Sequence, residues 1–151
     1  VKLQAIRVVD SQGFSAENLL TTQSATVEIE FVVLQGGKYL QPALMFVDGL
    51  GNKLFWSTDT NPILRRERMK KGLYKSSMLI PADFLAPGTI SVNVRVVQIA
   101  DGFAKYASAN DVISFNIIDD FAEDSIRCGY QGVIPGFLRP RMKWVTTRQI
   151  Q

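Results

Sequence analysis

Apolar and polar residues alternate with a period of two along most of this chain, and a helical fold cannot be built on that pattern. Residues 25–34 carry it most clearly. Val27, Ile29, Phe31 and Val33 fall on one side of an extended backbone, Glu28 and Glu30 on the other. Residues 2–10 read as a first strand. Residues 43–47 and 53–56 read as a hairpin around Asp48-Gly49-Leu50-Gly51-Asn52. Residues 72–80 set Tyr74, Ser76, Met78 and Ile80 on one face. Residues 89–99 set Ile90, Val92, Val94 and Val96 inward, and residues 112–119 do the same with Ile113, Phe115 and Ile117. Strands of this kind separated by turn signals predict an all-β fold, an immunoglobulin-like antiparallel β-sandwich. Short helices are expected only at residues 16–20 and in a turn over residues 81–87, near Phe84, that would bridge the two sheets. No internal repeat or linker divides the chain. Its 151 residues suffice for one domain with its own core: a sandwich over 1–120 and a C-terminal extension over 121–151.

The residue inventory excludes most chemistry. The chain has no His, so it lacks the commonest general base and metal ligand. Cys128 is the single cysteine; without a His it makes no thiol dyad, and it reads as a small residue packed near a turn. One cysteine forms no internal disulfide, which fits a cytoplasmic setting. Gly36-Gly37-Lys38 lacks the earlier glycine of a phosphate loop, and Tyr39 stands where a magnesium-binding hydroxyl would be required, so no ATP hydrolysis is expected. Asp119, Asp120, Glu123 and Asp124 are dense enough to suggest calcium, but without EF-hand spacing they read as a solvated loop. No enzyme, cofactor or metal is expected. The net charge of +3 is too small to expect nucleic acid as a partner, and Arg65, Arg66, Arg68, Lys70 and Lys71 read as a solvated basic loop. No apolar run reaches membrane-spanning length, and the start at Val1 in a strand pattern suggests a piece cut from a longer protein.

Binding remains. If 89–99 and 112–119 pair as a hairpin, the outward row Ser91, Asn93, Arg95 lies beside Ser114 and Asn116. That face is rich in planar polar groups able to satisfy sugar hydroxyls. Tyr106, in a loop expected over 101–111, or Trp56, at the end of a neighbouring strand, would supply an aromatic surface. By pattern alone the row reads equally as the wet side of an antiparallel sheet, with Trp56 in the core.

The sandwich pattern ends at Asp119, yet 32 residues follow. Gly129, Gly132, Pro135, Gly136 and Pro140 punctuate them, and alternation returns at 141–145. That returning pattern predicts an appended strand, which needs a free sheet edge in this chain or in a second copy. The pieces Asp124-Ser125, Arg127, Gly129-Tyr130, Gly132, Pro135-Gly136, Arg139-Pro140 and Lys143-Trp144 resemble the ending of a carbohydrate-binding domain. That domain forms the C-terminus of the ATP-binding subunit of bacterial ABC transporters exporting O-antigen polysaccharide. Ile80-Pro81, Leu85, Pro87-Gly88 and the 47–52 hairpin fit the same pattern; Cys128 departs from it, at a position where a small residue such as Gly is expected.

The resemblance implies a non-catalytic domain that reads the non-reducing end of an O-antigen chain. It tips the polar row toward a glycan site: Ser91, Asn93, Arg95, Ser114 and Asn116, with Trp56 or Tyr106. It also implies a cytoplasmic domain held at the inner membrane by the nucleotide-binding and membrane parts of the transporter. A homodimer by strand exchange is implied too, with Arg139, Pro140, Met142 and Trp144 at the interface. The alternative is a module that only dimerises and organises an assembly.

Overall fold

The computed structural model describes residues 1–100 and 102–149. Two sheets face one another. The first holds β1 (Lys2–Asp10), β3 (Ala25–Val33) and β6 (Gly72–Ile80) in the order β1-β3-β6, all antiparallel. The second runs β2-β8-β7-β4-β5, with β2 Asn18–Leu20, β4 Gln41–Asp48, β5 Lys53–Thr58, β7 Gly88–Gln98 and β8 Ala104–Ile118. The inward residues are those the alternation selects. Val27, Ile29, Phe31 and Val33 of β3 are buried, as are Ile90, Val92, Val94 and Val96 of β7, with Leu44 and Phe46 of β4 and Phe115 and Ile117 of β8. Each such side chain contributes about 1.5–3 kcal/mol on leaving water. The sandwich is therefore held chiefly by the facing rows of four interior strands, β3 on one side and β4, β7 and β8 on the other.

Local chemistry fixes the turns. Asp48 accepts from the backbone N–H of Leu50 and of Asn52 and from Asn52 Nδ2, and this closes the β4–β5 hairpin over Gly51, whose φ is +85°. Phe46 stacks on Phe55 across that hairpin, with ring centroids 4.4 Å apart.

Four expectations need correction. Residues 18–20 are a strand instead of part of a helix: Asn18–Leu20 pairs parallel with 116–118 and buries Leu19 against the core. Three residues covering an open β8 edge gain ladder hydrogen bonds that a helix of that length could not supply. Residues 81–87 form bends with no helical turn. The only helix among the described residues is α1 (Pro62–Arg66), where Asn61 Oδ1 caps the N–H of Ile63 and Pro62 sits in the first turn.

β8 begins at Ala104, so most of the loop expected over 101–111 is strand; Asp101 lies outside the described residues. Asn110 and Asp111, which read as turn formers, are absorbed in a bulge between the Val92 and Val94 pairings, with Asp111 at φ +47°. Finally, residues 141–149 form no strand within this chain. Pairing occurs earlier instead: Ala86 N–H donates to Phe137 O, Arg139 N–H to Phe84 O and Arg141 N–H to Asp83 O. The tail is thereby laid against the connection that leads into β7.

Candidate functional site

The outward face of the five-stranded sheet carries the expected polar row. Register sets Trp56 opposite Met45, and Met45 opposite Asn93. Arg95 lies between Ala43 and Ser108, and Ser91 between Val47 and Ser114. Arg95 reaches diagonally across β4, bringing its guanidinium carbon to 5.5 Å from the Trp56 ring centroid. Ala43, lying between their strands, is buried on this outward side. Trp56 is therefore a partly covered face residue and not core. The inward side of its hairpin belongs to Phe46 and Phe55.

Most of the row is already hydrogen-bonded within the chain. Ser91 Oγ and Ser114 Oγ are 2.9 Å apart. Thr89 donates to Asn116 Oδ1 at 2.9 Å, and Asn116 Nδ2 donates to Asn18 Oδ1 at 3.1 Å. Asn93 Oδ1 accepts the Asp111 N–H at 2.7 Å and so holds the β8 bulge. Arg95 differs: its buried Nε has no hydrogen-bond partner among the described residues. Tyr106 leans on the core cluster, with the Lys38 ammonium 5.9 Å from its ring. The structure thus brings together Arg95, Trp56 and Asn93, continues the row through Ser91, Ser114 and Asn116, and gives Tyr106 other contacts. The outer face of the three-stranded sheet is unlike this. Glu28 there pairs with Arg7 and with Lys75, as on an ordinary solvated surface.

A second polar centre, which sequence reasoning missed, ties the tail to the sandwich. Asp119, just past β8, has a side chain 9% exposed; Arg127 and Arg139 converge on its Oδ2 with side chains 7% and 9% exposed. Arg127 Nε lies 2.7 Å and Arg139 Nη1 2.8 Å from that oxygen. Arg127 Nη1 also donates to Tyr130 O and Gly132 O, each at 2.8 Å, and its guanidinium lies 4.3 Å from the centroid of the Phe121 ring. One guanidinium therefore shapes the Gly-rich loop while holding it to the strand end. Hydrogen bonding from Arg127 lowers the Asp119 pKa from 3.8 to about 2 against the opposing effect of burial, helped by the Phe121 N–H and by Arg139.

Asp120 is also occupied: Thr21 and Thr22 donate to it. No group of potential metal ligands is assembled among the described residues. Cys128 is exposed at φ +47°, a left-handed backbone that glycine adopts without strain, which is why a cysteine is unexpected at this position. Of the residues expected at a dimer interface, Arg139 is engaged inside its own chain. Pro140, Met142 and Trp144 are exposed, Trp144 at 86%.

Fold and face together define an antiparallel β-sandwich with a polar, aromatic-flanked sheet face and an ion-strapped C-terminal loop. No protein-family model matches the sequence, and no curated protein does. Among solved structures the chain is similar to the crystal structure of the C-terminal domain of wzt. The TM-score is 0.72 at 10% identity, over 97% of this chain and 83% of that one. At that identity the likeness is one of fold.

Proposed function

We propose that this chain is a non-catalytic polysaccharide-binding domain of an O-antigen ABC transporter, reading the non-reducing end of the exported chain on its five-stranded sheet. The observation that carries this reading is the Arg95–Trp56 pair: a guanidinium with an unpartnered Nε beside an indole, on a sheet face otherwise covered by amides and hydroxyls. Indole faces stack on sugar C–H surfaces and guanidinium forks satisfy hydroxyls or acidic substituents. The tail resemblance and the fold shared with the C-terminal domain of wzt support the same reading. The absence of His from the sequence argues against acid–base catalysis by that residue. No helix among the described residues is long and apolar enough to cross a membrane, in keeping with a cytoplasmic domain that meets the inner membrane through the rest of its transporter.

We also propose a homodimer. Residues 142–149 run on past Arg141, the last residue hydrogen-bonded to the sandwich among the described residues, with Met142, Trp144 and Val145 exposed, and a strand edge of a second copy would cover them. Calorimetric titration with the cognate O-polysaccharide tests the binding reading. Arg95→Ala should weaken affinity by about tenfold, the value of one charge-assisted hydrogen bond, with the melting temperature held. Unchanged titrations for both Arg95→Ala and Trp56→Ala would move the site off this face.

A further inference from the structure

We propose that the recess beside Arg127 and Arg139 is a binding site for a small oxyanion, a phosphate or carboxylate group, separate from the sheet face. Two guanidiniums meet one carboxylate here, and all three side chains are at least nine-tenths covered, so the cluster carries one uncompensated positive charge in a poorly hydrated place. The carboxylate has little left to offer. Its Oδ2 takes both arginines and its Oδ1 takes the Phe121 N–H. Arg139 Nε is buried and has no acceptor among the described residues. Beside it opens a recess of about 380 Å³ lined by Asp119, Arg127, Arg139, Gln131, Gly132 and Val133. The lining holds no second carboxylate to neutralise the surplus charge. An oxyanion seated there would accept from Arg139 Nε and balance the cluster, as planar guanidinium donors do for phosphates and carboxylates. This inference stands whether or not the sheet face binds glycan.

The test is NMR observation of the arginine Nε–H signals of the full chain, titrated with inorganic phosphate and separately with acetate at fixed ionic strength. The Arg139 signal should shift and saturate in the millimolar range. Arg139→Lys keeps a cation near Asp119 but removes the Nε–H, and should weaken phosphate binding by about tenfold, read from the backbone amides of Gln131 and Gly132. Gln131→Glu sets a carboxylate in the recess without touching the triad, and should abolish binding while leaving the fold intact. It keeps the proposal open to refutation if Arg139→Lys fails to fold.

A further arm separates the sources of the anion. A phosphate- or uronate-bearing oligosaccharide that displaces phosphate, where its neutral counterpart does not, assigns the site to an acidic group on a glycan. Displacement by neither assigns it to a free ion. No saturating shift of the Arg139 signal, or full phosphate affinity in Gln131→Glu, overturns the proposal.

Discussion

Asp119→Asn tests the tail's attachment, because it keeps the shape of the side chain while removing its charge and turning one of its two accepting oxygens into a donor. The Asp119 carboxyl titrates near 2 in the fold against an ordinary value of 3.8. At about 1.36 kcal/mol per pH unit that difference corresponds to about 2 kcal/mol of stability at neutral pH. Because the folded value is the depressed one, the contribution is fully present above about pH 4 and is lost as pH falls through about 2. At pH 3 about half of it should survive. Leaving two buried guanidiniums without a counter-charge costs about 3–5 kcal/mol in comparable cases, so the linkage figure is the lower bound at pH 7. In a chain of this size the loss should appear as a fall of about 5–10 °C in melting temperature. The assay is urea unfolding of wild type and Asp119→Asn at pH 7 and pH 3. The gap between the two should be at least about 2 kcal/mol at pH 7 and should shrink by about 1 kcal/mol at pH 3. A gap below about 0.5 kcal/mol at pH 7, within the range of ordinary surface substitutions, would refute the claim that this triad straps the tail. So would a gap that does not change with pH.

Asn93→Ala should cost about 1 kcal/mol of stability even without ligand, because Asn93 holds the Asp111 N–H of the bulge; equal denaturation midpoints for variant and wild type would contradict that role. Cys128→Gly should stabilise the chain by up to about 1 kcal/mol by relieving the left-handed backbone at φ +47°, read as a higher melting temperature. Deletion of residues 143–151 should leave the fold intact and convert dimer to monomer by light scattering, since Arg141, whose Nε lies 3.0 Å from Asp83 Oδ2, is the last anchored residue. A cut after Gly132 would also remove Arg139 from Asp119, and so could not distinguish unfolding from loss of the dimer.

The strands were legible because burial on one face forces a period-two pattern, which β3 obeys residue by residue and β7 obeys from Ile90 to Val96. What failed was local. Asn18–Leu20 has no intrinsic reason to be a strand; it becomes one because β8 offers an edge. Asn110 and Asp111 carry turn chemistry and satisfy it in a bulge within a 15-residue strand, which a reading of turn residues takes for a loop. Asn61-Pro62 is a readable helix-start signal, and it was overlooked among the basic residues that follow. At the candidate site, alternation correctly set Ser91, Asn93 and Arg95 outward. It carries no information about who bonds whom, because those bonds depend on cross-strand register. The Asp119 triad was invisible for a related reason. Its members are 8 and 12 residues apart, and only the fold-back of the tail brings them together.

The internal hydrogen bonds of the sheet face decide how a ligand can bind it. Ser91 Oγ, Ser114 Oγ, Asn93 Oδ1 and both ends of the Asn116 amide already hold a partner within 3.1 Å, and a sugar hydroxyl taking one of those positions must displace it. Such an exchange returns little net free energy, since one good hydrogen bond replaces another. Arg95 Nε has no partner among the described residues to give up, and the exposed part of the Trp56 ring gains by leaving water. Affinity should therefore concentrate in these two residues, with the amides and hydroxyls setting orientation. Because β-ladders fix the backbone on either side, little ordering entropy opposes binding, yet two productive contacts supply only a few kcal/mol. A monovalent end of the polymer should accordingly bind with a Kd of order micromolar to millimolar. Two copies joined through their tails would raise the apparent affinity for a surface bearing many chain ends without any new contact. Deletion of residues 143–151 should then reduce retention on immobilised polysaccharide while leaving the affinity for a single short oligosaccharide unchanged. A parallel loss of both would place the tail in the binding site itself.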